Sequence, residues 1–251
     1  MGRCTFVWAH GLHSSMAHED ELGLFDWQSL RDVARVVRYD VRGHGQADCQ
    51  YEERAYRWST LVDDMLWAAG TDGPFVAGGA CTGAATALYT AVRAPRRVQA
   101  AVLVTPPAAW DCRDGQVEAY ASAAQLVERH GLPSLLETWR RRPQPAILER
   151  EFPDAREIQL RHLAGMDEKA LPAILRGMAL SDLPSPEELS TLVLPVLILA
   201  WDGDACRPVA TARALADHLI LSELHVAHDL AAVRKWPELV RDFLANLTLW
   251  E

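Results

Sequence analysis

The segment Gly79-Ala80-Cys81-Thr82-Gly83 places a nucleophile between small residues, where a strand can turn sharply into a helix. Glycine at both ends lets the chain reverse without side-chain clashes. The turn holds Cys81 Sγ at a helix N-terminus. There the helix dipole and a neighbouring imidazolium favour the thiolate, which is the form that attacks. This is the pattern of a nucleophile elbow, with cysteine where serine usually stands. Packing is the competing role for any single cysteine, and we assign packing or surface placement to Cys4, Cys49 and Cys112. Attack on a carbonyl creates an oxyanion that needs two backbone N–H donors. Thr82, the residue after the nucleophile, supplies one. The loop Ala9-His10-Gly11-Leu12-His13 supplies the other: Gly11 permits close approach, and Leu12 is the donor. His10 reads as a brace for this loop. His10, His13 and His18 lie close together but lack metal-ligand spacing, and they read as solvated loop histidines, with His13 placed to meet substrate.

Elements to position these residues are legible from the apolar pattern. Six short apolar runs read as buried strands: Cys4 to Ala9, Val33 to Tyr39, Pro74 to Ala77, Ala100 to Thr105, Val193 to Ala200 and Leu221 to Val226. Helical spacing marks Trp58 to Ala69, Thr82 to Val92, Val209 to Leu219 and Leu230 to Leu247. Alternating strands and helices imply a parallel sheet covered on both faces. The alternation fails from 113 to 181. That stretch reads as consecutive helices punctuated by Pro133, Pro143, Pro145, Pro153 and Pro172. Placed after the fourth strand, it would lie over the C-terminal edge of the sheet, where sites form in such folds. The expected organisation is a core of 1–112 and 182–251 with a helical lid of 113–181.

After the second strand the chain reads Tyr39-Asp40-Val41-Arg42-Gly43-His44-Gly45. Together with the His-Gly loop before it and the Gly-x-Cys-x-Gly elbow after it, this segment resembles the α/β-hydrolase superfamily. The resemblance covers about Thr5 to Leu244 apart from the lid. It begins at what would be the third strand of the family, and it departs from the family in its cysteine nucleophile. It implies an α/β-hydrolase fold, a mostly parallel sheet of about six strands flanked by helices. Asp40, Arg42 and His44 are then structural. The family order of nucleophile, acid and base implies a carboxylate after the fifth strand and a histidine after the last. Asp204, four residues before Pro208, fits the acid, with Asp202 and Asp111 as alternatives. His228, followed by Pro237-Glu238, fits the base, with His225 as the alternative.

The implied chemistry is covalent acyl transfer through a Cys81-His228-Asp204 triad. The first function expected is hydrolysis of a small ester, lactone or thioester. The second is transfer of the acyl group to an amine or alcohol, because a thioester intermediate is open to amines. The third is a ligand-binding protein that keeps the fold without catalysis. Trp110 and Trp201, near strand ends, are expected to face an apolar or aromatic acyl substrate. No cofactor or metal site is legible. A net charge of −9 argues against a nucleic-acid partner, and the arginines at 96–97 and 140–142 read as solvated helix ends and loops. No run of about 18 apolar residues suggests a membrane span. The N-terminus, which passes straight into a strand-like segment, suggests no signal peptide, and Phe6 stands where a myristoylation motif needs Ser or Thr. Five cysteines without a Cys-x-x-Cys pair suggest a reducing, cytoplasmic setting.

Overall fold

The computed structural model describes residues 3–71 and 73–247; the extreme N-terminus, read above as lacking a signal peptide, lies partly outside them. Its strands are β1 (Cys4–Ala9), β2 (Ala34–Tyr39), β3 (Phe75–Ala80), β4 (Val98–Val104), β5 (Val196–Trp201) and β6 (Ser222–Ala227). Its helices are α1 (Met16–Leu22), α2 (Val62–Ala69), α3 (Thr82–Arg93), α4 (Asp114–Arg141), α5 (Ala146–Glu151), α6 (Ala155–Ala164), α7 (Leu171–Ala179), α8 (Pro186–Ser190), α9 (Val209–His218), α10 (Leu230–Val233) and α11 (Trp236–Leu247).

All the strand pairs are parallel, in the order β2-β1-β3-β4-β5-β6. Alternate side chains of each strand face opposite layers. Val7 and Ala9 pack with α2 and α3 on one side, while Phe6 and Trp8 pack with Leu30 and α11 on the other. The chain runs outward from β1 to β2, then returns to the far side of β1 as β3. This reversal is a topological switch point, and the crevice beyond it is the usual place for a ligand. Ala9 is in register with Gly79, so the loops leaving β1 and β3 emerge side by side.

Several boundaries differ from the sequence reading, each for a local reason. Trp58 to Leu61 form turns, and α2 starts only at Val62. Strand β5 begins after Pro195, which cannot donate to a ladder. The expected helix from Leu230 to Leu247 is two helices. Pro237 lacks the N–H that would bond the Val233 carbonyl four residues back, and its ring clashes there, so the break falls at Arg234 and Lys235.

Between β4 and β5 the described chain is helical and without a strand, from α4 through α8. Helix α4 is kinked at Gly131, whose φ of 76° is followed two residues later by Pro133. The guanidinium of Arg113 ties the ends of this segment together. Its Nε donates to the Ser181 carbonyl at 2.9 Å, its Nη1 to Ala108 at 3.2 Å and its Nη2 to Met178.

Candidate active site

Cys81 caps the N-terminus of α3 with φ 51° and ψ −113°. Non-glycine residues avoid this region, and holding one there costs about 1–3 kcal/mol. The surrounding glycines make the turn possible. A Cβ on Gly83 would lie 2.0 Å from the Ala9 carbonyl oxygen, and one on Gly79 would lie 2.3 Å from the Gly83 carbonyl carbon. The Cys81 N–H donates to Val104 at 2.9 Å, which fixes the turn against β4.

The loop after β1 packs directly on the elbow. A Cβ on Gly11 would meet Cys81 Cβ at 3.2 Å, a tight contact that the glycine avoids. His10 braces it from below. Its Nδ1 donates to the Gly11 carbonyl at 2.9 Å, and its Nε2 accepts the Val41 N–H at 3.0 Å. Burial first, then His44, holds the His10 ring neutral with a pKa lowered to about 3. The motif after β2 is structural as well. Asp40 accepts the N–H groups of Met16 and Gln46, and Arg42 makes a two-point bridge to Asp64 at 2.8 and 2.5 Å. His10, His13 and His18 are buried, which corrects their reading as solvated histidines. The short turn from Gly11 into α1 folds them under the insertion: His13 packs on Trp139 and His18 on His162.

Two cavities meet at Cys81. The first, about 160 Å³, is walled by Trp8, Phe25, Trp27, Trp201 and Trp236. The second, about 260 Å³, lies under the insertion and is lined by His13, Gln116, Tyr120, Trp139, Arg142 and Arg207. Leu12, Cys81, Gln159 and Arg207 belong to both walls. The Cys81 thiol is raised above its ordinary value, by burial first and by Asp204 and Cys206, against the pull of the Arg207 guanidinium and the Thr82 N–H. No imidazolium among the described residues acts on it, which corrects the expectation that the turn favours the thiolate. Trp201 faces the aromatic cavity, stacked on Trp236 at 5.7 Å. Trp110 is a correction: it lines neither cavity. Its backbone N–H is held by Asp182 at 3.1 Å and its indole N–H by the Pro184 carbonyl at 3.2 Å.

The acid and base also differ from expectation. His228 Nδ1 pairs with Asp202 at 2.6 Å, and both side chains are largely in solvent. Asp204, expected to orient His228, is instead buried. It accepts Trp201 Nε1 at 2.9 Å, the Cys206 N–H at 2.9 Å and Arg207 Nε at 2.6 Å. Gly203, with φ 71°, reverses the chain between the two aspartates and sends them opposite ways. Burial alone would raise the Asp204 carboxyl, but Arg207, with the Trp201 and Cys206 N–H groups, holds it below its ordinary value. His225 sits within β6 against Glu223, and Asp111 is exposed in a short turn. His228 lines neither cavity beside Cys81. The ends of β3 and β6 are three strand spacings apart, roughly 14 Å, and the loop after β6 is drawn to the insertion, where the Leu230 N–H donates to Glu151 at 3.1 Å.

Arg207 and Arg142 are the cavity residues that sequence reasoning missed. Arg207 lies between the counted Asp204 and Pro208. Arg142 belongs to an arginine run that reads as solvent-facing.

Comparison with known proteins places these features in a family. Residues 9–155, more than half of the chain, match the family described as alpha/beta hydrolase fold. The 3-oxoadipate enol-lactonase 1 of Acinetobacter baylyi is 24% identical over 204 residues, spanning 80% of this chain and 74% of the relative. The enol-lactonase of Burkholderia xenovorans has a TM-score of 0.78 at 18% identity, covering 99% of this chain and 92% of that one. The thermophilic esterase of Thermogutta terrifontis has a TM-score of 0.79 at 22% identity, covering 98% and 92%. The elbow, the braced loop beside it and the parallel sheet beneath them are those of an α/β hydrolase, and this chain belongs to that family.

Proposed function

We propose that this protein hydrolyses a small ester, lactone or thioester through an acyl-thioester on Cys81. The observation that carries this reading is the strained Cys81 turn, held at a helix N-terminus where two cavities meet. The names of the enol-lactonase and esterase relatives point to the same class of reaction. In the proposed reaction His228 takes the Cys81 proton, the thiolate attacks the carbonyl, and the N–H groups of Leu12 and Thr82 hold the oxyanion. The leaving group takes that proton from His228, water then attacks the thioester, and His228 accepts the water's proton and returns it to Cys81 as the acid departs.

Asp202 is the group that orients His228 in this scheme. The step requires the loop after β6 to fold inward over the end of β5. Glu151 links that loop to the insertion, so in this scheme the inward movement is coupled to a lid formed by 113–181. The walls contributed by Tyr120, Trp139 and Gln159 support the lid reading, because they cover the reacting atoms on the side away from the sheet. Trp201 and the other rings of the first cavity would hold an apolar or aromatic acyl group.

Acyl transfer to an amine or alcohol is the second reading. Separate cavities on either side of Cys81 favour it, since they leave room for an acyl group and an acceptor together. We also place the protein in the reducing cytoplasm. All five cysteines are free, as a reducing setting would keep them. The test is turnover of p-nitrophenyl esters, lactones and acyl-thioesters by the wild type and Cys81→Ala, with and without added amines. Turnover lost in the variant supports the reading, and a product ratio that follows amine concentration selects transfer. Equal turnover by the two proteins overturns it.

A further inference from the structure

The second cavity contains polar groups that the proposed chemistry leaves unused. His13 is 2% exposed, and its Nε2 has no hydrogen-bond partner. Gln116 is 8% exposed, and its Oε1 has none either. Arg142 is half-buried. Its guanidinium donates to Cys206 Sγ at 3.1 Å and lies 5.9 Å from the Trp139 ring centroid. A thiol and a ring face do not neutralise a full charge.

The remaining charges in the wall are already matched. Asp204 is held by Trp201, Cys206 and Arg207. Arg156 Nη1 is directed to the carbonyls of Trp139, Arg140 and Arg142. The cavity wall thus carries three guanidinium groups, Arg142, Arg156 and Arg207, and one carboxylate, Asp204, which is paired with Arg207. Buried polar atoms without partners, and a charge without a counter-charge, are costly unless a ligand completes them. His13 is kept neutral by burial, by His44 and by Arg142. A neutral imidazole offers an N–H to an anion without adding charge.

We infer that this cavity is a carboxylate subsite: the substrate reacting at Cys81 carries a carboxylate that Arg142 binds and His13 Nε2 donates to. Arg142 presents a planar fork suited to two parallel bonds with a carboxylate. Gln116 Oε1 accepts a hydroxyl or N–H near that group. The inference rests on the reaction proposed above only in taking Cys81 as the reacting atom.

The test separates binding from reaction. In Cys81→Ala, titration calorimetry with monomethyl glutarate is compared with dimethyl glutarate, which has no carboxylate. The monoanion binds, and the neutral diester binds at least tenfold more weakly. Arg142→Gln weakens the monoanion roughly tenfold to a hundredfold, the range for a hydrogen bond to a charged group. Arg142→Lys recovers part of the loss, and the exposed Arg140→Gln changes nothing. In the otherwise wild-type protein, p-nitrophenyl hydrogen glutarate is turned over with a lower KM than p-nitrophenyl valerate, and Arg142→Gln removes that difference. Binding of the monoanion without turnover of either ester leaves the subsite standing and removes the role of Cys81. Turnover of both esters alike, with no dependence on Arg142, keeps Cys81 and overturns the subsite. Absence of monoanion binding in a folded Cys81→Ala protein also overturns it.

Discussion

Asp202 and Asp204 are two residues apart, and the structure gives them different partners, so under the proposed reaction replacing each with asparagine separates stability from chemistry. Asp204 is 8% exposed and accepts three hydrogen bonds. In Asp204→Asn the side-chain amide turns an N–H₂ towards at least one of those donors and leaves the Arg207 guanidinium without its carboxylate. Breaking a buried pair in this way costs about 3–5 kcal/mol. The Arg207 side chain is 27% exposed, so water offsets part of the loss and about 3 kcal/mol is the appropriate figure. For a chain of this length that lowers Tm by about 6–12 °C. The Asp204 carboxyl is held below its ordinary value of 3.8, so its contribution is present above that pH and is lost as pH falls through the lower folded value. The gap between the variant and the wild type should accordingly narrow in acid. Asp202 is exposed beside an exposed His228, and Asp202→Asn should change stability by no more than about 0.5 kcal/mol. Its effect should fall on kcat/KM for an activated ester, lowered about 100-fold to 10,000-fold through loss of oriented acid–base catalysis. Thermal unfolding and ester turnover on the same samples decide the matter. An Asp204→Asn protein with an unchanged Tm and abolished turnover, beside an active Asp202→Asn, would refute this division.

Two further perturbations follow from local geometry. Gly83→Ala drives a Cβ to 2.0 Å from the Ala9 carbonyl oxygen and should destabilise by about 3 kcal/mol, the upper end for overpacking. Gly115→Ala, with open space around the new methyl, should stabilise by about 0.5–1 kcal/mol; thermal unfolding of both variants checks the opposite signs. Glu19 lines the aromatic cavity, and burial raises its pKa to about 7, against the opposing pull of Trp8 and Arg38. Because the folded value lies above the unfolded one, its protonated form stabilises the fold at low pH, and that stability is lost as pH rises from about 4.5 through 7. Glu19→Gln should therefore gain relative to the wild type between pH 4.5 and pH 8, by an amount on the order of 3 kcal/mol in urea unfolding; equal pH slopes would contradict this.

The sheet and the elbow were legible because their signals are local. Continuous apolar runs of strand length and the small residues around Cys81 are fixed by sterics that act within a few residues. The loop after β1 was legible for the same reason, since a glycine at position 11 allows close approach to Cys81. The partner of His228 was legible only as an alternative. Counting back from Pro208 selects Asp204, but the left-handed turn at Gly203 decides which aspartate faces β6, and that turn is set by its surroundings. Arg142 was read as solvated because its run is basic; its burial depends on how α4 and α6 fold over the sheet, which no spacing encodes. Trp110 follows a strand end closely in sequence, yet Asp182, 72 residues away, holds its backbone outside the cavity. The buried histidines at 10, 13 and 18 share that origin, since a loop becomes interior only when a distant helix covers it.

The central claim is covalent catalysis at Cys81, and intact-mass measurement during incubation with an activated ester tests it most directly. The account predicts a mass increase of one acyl group on the wild type, mapped by digestion to Cys81, absent in Cys81→Ala and retained in Cys206→Ala. An acyl group mapped to another residue, or ester turnover that continues in Cys81→Ala, would contradict it.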